Sequence, residues 1–301
     1  MENSKSKVGY LYKRLERHWK TLKPKTIINY KLAWGKWLVR YAEQDIRELD
    51  MDDWQDLLDE MTEQNYSRSA QHQVRTLLSQ IYKMAMGYGF AQTNVAKSLY
   101  LEGRPRKETL CFTQSQLKVL QEYADKPSYR YCRTCRIVLI MCYTGLRPQE
   151  LFTLPLEAID FKEGYIRWGM KTKAGRNRIV PILPAIEPYI LDEIGYFNHP
   201  YLLKGQKSDK MDLKNWRKRE FYPMTLELGL NSLEALMDKR NVPHVTPYSA
   251  RHTFATMAKS SGVDAEALIQ IMGHTTINTT NMYYLHEDLA FLKSEARKIE
   301  G

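Results

Sequence analysis

The chain has 301 residues, enough for two domains of ordinary size, each with its own core. Lysine and arginine outnumber aspartate and glutamate 45 to 35, and the formal net charge of +10 points to a polyanionic partner: nucleic acid first, an acidic membrane surface second. The polar start MENSKSKVGY has no apolar signal core, and the longest apolar run, residues 137–142, is far too short to span a bilayer; a cytoplasmic location without a membrane partner is expected.

The first hundred residues read as helical. Residues 10–22 place Tyr12, Leu15 and Trp19 at helical spacing. Pro24 interrupts them, and Thr26 is the expected cap of a second helix with the stripe Ile27, Tyr30, Trp34, Leu38 and Tyr41. Asp50 or Asp52 opens a third with Trp54, Leu57, Leu58 and Met61 inward. Ser67 or Ser69 opens a fourth with Val74, Leu78, Ile81, Met84 and Ala85 inward, ended by Gly87 and Gly89. Together they predict a compact all-α bundle over residues 8–100. Arg68, Arg75 and Lys83 fall on the polar side of the fourth helix, a face that serves solvation and phosphate contact equally well. Residues 101–112, with Gly103, Pro105 and clustered charges, break the pattern and read as a linker to a second domain over residues 113–301.

In that second domain Thr113 caps a helix containing Leu117 and Leu120, and residues 137–143 form a buried helix ending at Gly145. Pro148 suits the first turn of the next helix, where a missing N–H costs nothing, so Arg147 is held at a helix junction. Residues 164–170 and 176–182 are two strands joined by the turn Lys173-Ala174-Gly175. Residues 184–197 predict a helix, residues 198–212 a loop, and residues 214–219 a basic run around Trp216. Cys132 and Cys135 have the spacing of half a zinc site, but no second Cys or His pair stands at a suitable distance; reduced thiols packed in a helix are expected, and no metal is assigned.

Residues 245–285 carry the densest pattern. Arg251 and His252 open a helix whose Phe254, Met257 and Ala258 face a core and which Gly262 ends. Asp264 caps a second, with Leu268, Ile271 and Met272 inward and Gly273 at its close. Thr275 or Thr276 caps a third carrying Met282, Tyr283 and Tyr284. Three short helices with sharp ends bring Arg251, His274 and Tyr283 together. A phenol, with an ordinary pKa of about 10, is a weak nucleophile at neutral pH and needs neighbouring cations or a base. Cations without acidic metal ligands suit a negatively charged electrophile, and a phosphodiester fits, because guanidiniums clamp its non-bridging oxygens.

The order Tyr-Ser-Ala-Arg-His at 248–252, Gly-His at 273–274 and Thr-Thr-Asn-Met-Tyr at 279–283, with Thr-Gly-Leu-Arg-Pro-Gln-Glu-Leu at 144–151 upstream, resembles the tyrosine recombinases, the phage-integrase family. That resemblance implies a mainly α fold: an N-terminal helical, SAM-like core-binding bundle and an α-rich catalytic domain with a small antiparallel β-sheet, closing round a duplex as a clamp. It implies a site-specific recombinase or integrase of a mobile element or phage that breaks and rejoins DNA strands through a 3′-phosphotyrosyl link, without metal, ATP or cofactor. By resemblance Arg147 and Arg251 clamp the scissile phosphate, with Glu150 supporting Arg147, and His274 hydrogen-bonds it. Tyr283 is the nucleophile and Tyr284 packs beside it. Lys173 protonates the leaving 5′ oxygen, with Lys171 the alternative. Tyr248 stands where the family most often has a histidine base, His252 is a buried structural histidine, and Arg68 and Arg75 contact DNA. Residues 287–299 form an amphipathic tail helix with Leu289, Leu292 and Ala296 apolar; it covers the core of a monomer or, as in the family, docks on a neighbour in a homotetramer on a double-stranded recombination site. Two other readings stay open: a non-catalytic DNA-binding regulator, which Tyr248 favours, and a type IB topoisomerase-like nicking and closing activity.

Overall fold

The computed structural model describes residues 2–104, 110–170, 175–195, 199–205, 208–238, 242–273 and 289–300. The chain divides into two compact units, Met1–Lys107 and Glu108–Gly301.

The first unit holds helices α1 (Glu2–Lys5), α2 (Val8–Glu16), α3 (Pro24–Ala33), α4 (Met51–Glu63) and α5 (Arg68–Gly87). Asp50 caps α4: its carboxylate accepts from the Asp52 and Asp53 N–H groups at 2.8 and 3.2 Å, and Asp53 accepts from the Asp50 N–H at 2.9 Å. Ser67 caps α5 by accepting from the Ala70 N–H. Trp54, Leu57, Leu58 and Met61 of α4 meet Val74, Leu78 and Ile81 of α5 in one core from which water is excluded. The Trp54 indole N–H donates to the Tyr82 hydroxyl at 2.7 Å, and buried Gln71 donates to the Leu58 carbonyl and the Thr62 hydroxyl while accepting from the Gly103 N–H, so these buried polar groups are satisfied.

Several expectations for this unit change: the helix expected over residues 10–22 is α2, which ends at Glu16 and is followed by a separate 3₁₀ turn at Trp19–Thr21, and Met84 of α5 is half-buried rather than fully inward. Pro24 does not interrupt a helix but opens α3 at its first position, so Thr26 is not a cap. The stripe beyond α3 also departs from an α period: residues Trp34–Leu38 form a wider π-helical turn, which buries Trp37 and Leu38 and leaves Trp34 half-buried, stacked 3.9 Å from Tyr12.

The second unit holds α6 (Gln114–Ala124), α7 (Cys132–Thr144), α8 (Pro148–Leu151), β1 (Ile159–Asp160), β2 (Tyr165–Trp168), β3 (Arg178–Pro181), α9 (Glu187–Gly195), α10 (Leu213–Trp216), α11 (Tyr222–Glu227), α12 (Leu233–Met237), α13 (Pro247–Ser260), α14 (Ala265–Met272) and α15 (Leu289–Arg297). Helix α7 is buried on nearly every side and packs against α6 and α13. Its thiols face inward, and burial pushes that of Cys135 up to about 12, leaving a protonated packing group. At its end Gly145 has a φ of 61°, and a Cβ there would lie 2.5 Å from the Phe254 ring, so only glycine lets α13 approach this closely.

The three strands form one antiparallel sheet in the order β1-β2-β3, with Ile159 opposite Ile166 and Ile166 opposite Val180. The fold is therefore mainly helical with a small antiparallel sheet. β1 was not expected: two residues carry no readable alternation. Trp216 in the basic run is buried against Phe152 and Phe221, a core residue. In α14 the inward position falls to Ala267, with Leu268 only half-buried. Helix α15 lies on β3 and α14 of its own unit, burying Leu292 and Ala296, with Ile299 just beyond it also buried, while Glu295 accepts from the Asp264 N–H at 2.8 Å. Among the described residues no helix is long and apolar enough to cross a membrane.

Candidate active site

The Thr144–Leu151 segment builds one wall. Gly145 turns the chain out of α7, and Arg147 occupies the cap position of α8 in an extended conformation, fixed by Pro148 behind it. Glu150, one turn on, is buried and accepts from the Arg147 backbone N–H and from Arg147 Nη1, both at 3.0 Å. The chain thus folds one arginine back on its own helix and leaves it 11% exposed.

The second wall is α13. Its N-terminus is closed by the Thr246 N–H donating to Ser249 Oγ at 2.9 Å, and it begins at Pro247 rather than at the basic pair. Ala250, Phe254, Met257 and Ala258 form its buried face against α7. Arg251 is buried with them; its Nη1 donates to the Gly145 carbonyl and its Nη2 to the Met272 carbonyl at 2.6 Å. Tyr248, one turn earlier, is exposed. His252 is half-buried rather than buried, and His244 is half-buried beside the Tyr222 ring.

A third arginine, which sequence reasoning passed over, completes the arrangement. Arg178 at the start of β3 is buried and donates to Glu150 Oε2 at 2.7 Å, to the Gly175 carbonyl at 3.0 Å and, through Nε, to the Ile271 carbonyl at 2.7 Å. The consecutive carbonyls of Ile271, Met272 and Gly273 at the end of α14 thus accept from Arg178, Arg251 and Arg147 in turn. These are carbonyls that a helix C-terminus leaves without intrahelical partners, at the negative end of its dipole, and three cations satisfy them. The only signal in the sequence is a charged residue opening an otherwise apolar strand, Ile179-Val180-Pro181.

Glycines make the approach possible. Gly273 has a φ of 61°, and a Cβ on it would stand 2.6 Å from Gly175 Cα and 2.9 Å from Arg178 Cδ. A Cβ on Gly169 would meet the Gly175 carbonyl oxygen at 1.7 Å. Gly273 and Gly175 therefore lie against one another. Lys171, Lys173, His274, Tyr283 and Tyr284 themselves lie outside the described residues. Arg68 and Arg75 belong to the other unit: Arg68 is exposed, whereas Arg75 is half-buried and donates to the Leu99 carbonyl at 3.1 Å.

Three guanidiniums surround one carboxylate, an excess of positive charge in a buried place. Burial opposes ionisation of Glu150, but the hydrogen bond and charge of Arg178, then those of Arg147, outweigh it and hold the carboxyl below its usual range. Burial first, then repulsion from Arg147 and Arg178, lowers Arg251 to about 9, still a cation at neutral pH. Each guanidinium has five N–H donors, and the hydrogen bonds above use two on Arg147 and two on Arg251. An anion entering here meets preorganised donors and relieves the repulsion among them.

Residues 111–290 match the sequence profile of the phage integrase family. The tyrosine recombinase XerD of Pasteurella multocida is 26% identical over 277 residues, covering 88% of each chain. The transposase of transposon Tn916 from Enterococcus faecalis is 28% identical over 214 residues, which span 62% of this chain and half the length of that protein. In fold the chain is similar to the integrase of transposon Tn1549 in complex with circular intermediate DNA, with a TM-score of 0.73, 19% identity and coverage of 96% and 98% of the two chains. It is also similar to the lambda integrase tetramer bound to a Holliday junction, with a TM-score of 0.68, 14% identity and coverage of 90% and 79%.

Proposed function

We propose that this chain, which belongs to the phage integrase family, is a tyrosine-type site-specific DNA recombinase of a mobile element, acting on a double-stranded recombination site. The observation that carries the reading is the pair of half-buried Arg147 and buried Arg251, set side by side on the end of α14 with N–H donors to spare for a phosphodiester.

In this reading the two guanidiniums and His274 hold the non-bridging oxygens of the scissile phosphate. The Tyr283 oxygen attacks phosphorus as its phenolic proton passes to solvent water, the phosphorus–O5′ bond breaks, and Lys173 gives a proton to the departing O5′. The products are a 3′-phosphotyrosyl link and a free 5′-hydroxyl. Tyr248 stands on the exposed first turn of α13, in the place that a histidine base most often takes in the family. The link keeps the energy of the phosphodiester, so reversal onto a partner strand uses no ATP. Exchange between two duplexes cuts four strands, and we assign one subunit to each. The tail helix α15 makes the contacts between subunits by trading its own chain's surface for that of a neighbour.

The test is a nicked duplex of the protein's own recombination site, from which the cleaved end diffuses away, resolved on a denaturing gel without added metal. A covalent band with wild type and Tyr284→Phe that disappears in Tyr283→Phe is the expected result. Tight binding with no covalent band from wild type would instead favour a non-catalytic regulator. The first unit supplies a separate prediction. Charge reversal at Arg68 and Arg75 should weaken binding to any duplex and reduce the slope of log affinity against log salt by up to about 2, near 0.9 for each phosphate no longer neutralised. Affinity and slope both unchanged would mean that this face is only solvated.

A further inference from the structure

We propose that Arg178 is a positioning residue of the phosphate clamp: it fixes Glu150 against Arg147 and ties the end of the β2–β3 hairpin to the C-terminus of α14. This deepens the recombinase reading and rests on it. Three observations carry it. Arg178 is buried and its donors go to three different elements: Glu150 of α8, Gly175 of the hairpin and Ile271 of α14. Glu150 is shared, with one oxygen on Arg178 and the other on Arg147 Nη1, so the position of Arg147 depends on a carboxylate that Arg178 anchors. Finally, the fit is closed by residues that tolerate no Cβ, since Gly169 and Gly273 would each drive one into Arg178 itself. An arginine used only to neutralise a buried acid would not need the two carbonyls; the planar fork is what joins the three elements, and a lysine has no equivalent geometry.

Arg178 also sets when Glu150 is charged. The charged groups that face Glu150 among the described residues are Arg147 from its own helix, Arg178 from β3 and Arg251 from α13. Burial acts to raise the carboxyl, and Arg178 is the largest influence in the opposite direction. Without it Glu150 takes up a proton as pH falls, loses its grip on Arg147 and loosens the clamp.

The experiment measures single-turnover cleavage of the nicked duplex by the full-length protein from about pH 8 to about pH 6, the range into which a buried glutamate can be shifted. Wild type, Arg178→Gln, Arg178→Lys and the double variant Arg178→Gln with Glu150→Gln are compared at saturating DNA. Arg178→Gln should lose rate progressively towards acid, about ten-fold more than wild type for each unit of pH below the new carboxyl pKa, and the added Glu150→Gln should abolish that extra dependence. Arg178→Lys keeps a cation beside Glu150 but not the fork, and should be slower by about ten-fold at every pH with unchanged DNA affinity. A pH profile for Arg178→Gln that parallels wild type, or one that Glu150→Gln does not alter, overturns the proposal. If Arg178→Gln does not fold, Arg178→Lys decides: a wild-type cleavage rate from it overturns the proposal. Cleavage by wild type in the same series keeps the test separate from that of the recombinase reading, which fails only if wild type forms no adduct.

Discussion

Glu150→Ala should lower the stability of the unit spanning residues 108–301 by about 3–5 kcal/mol, the cost of removing one partner of a buried ionic cluster and leaving the others uncompensated. Glu150 is 2% exposed and is the acceptor shared by Arg147 and Arg178, so its loss leaves two guanidiniums facing a third, Arg251, with no carboxylate between them. Glu150→Gln keeps an acceptor oxygen but no charge, and should cost about half as much, in the range of about 1–3 kcal/mol for an impaired buried hydrogen bond to a charged group. Urea unfolding of both variants, with the two units followed as separate transitions, measures this; a change within about 1 kcal/mol for Glu150→Ala would mean the cluster is not holding the unit together. The pH dependence has a definite sign. Because the folded carboxyl lies below its ordinary value, its stabilisation is complete above the unfolded pKa of about 4.3 and is lost as pH falls through the folded one. The gap between wild type and Glu150→Gln should therefore close in acid.

Arg251→Ala should slow DNA cleavage by at least about 10³-fold, with much less effect on binding of the duplex, because a donor aimed at the transition-state oxyanion counts for more in the chemical step than in affinity. Arg251→Lys should recover little of it. The guanidinium reaches the Gly145 and Met272 carbonyls with two nitrogens and still presents N–H groups beyond them; a single ammonium cannot do both. The same substitutions also free two carbonyls that lose their partner, so a control on folding belongs with the rates.

The helix ends were the most legible part of the sequence. Asp50, Ser67, Thr113 and Asp264 all cap the helices they precede, and Gly145 and Gly273 both turn left-handed at their helix ends, because caps and terminal glycines act locally. What was misread depends on the rest of the chain. Pro24 marks a start or a break according to what precedes it, and the turn at Trp34–Leu38 follows from which tryptophan the core accepts. At the site, Arg147 and Arg251 stood out by the motifs around them, and Glu150 by its spacing from Arg147. Arg178 did not: its importance comes from meeting Glu150 and Ile271, respectively 28 and 93 positions away, and no local pattern encodes that meeting. Arg75 shares the polar side of α5 with Arg68 in the sequence pattern, yet one of its nitrogens goes to the Leu99 carbonyl, a partner 24 residues distant.

In the proposed reaction Arg147 and Arg251 hold the negative charge of a scissile phosphate. Replacing that phosphate with a neutral methylphosphonate tests it most directly, by comparing cleavage of the two substrates by wild type and by Arg251→Ala. If the arginine serves the charge, the penalty of Arg251→Ala, about 10³-fold on the phosphodiester, should shrink to about ten-fold or less on the methylphosphonate, as for two changes that remove the same interaction. An equal penalty on both substrates would contradict the account and leave Arg251 as a buried strut between α7 and α14.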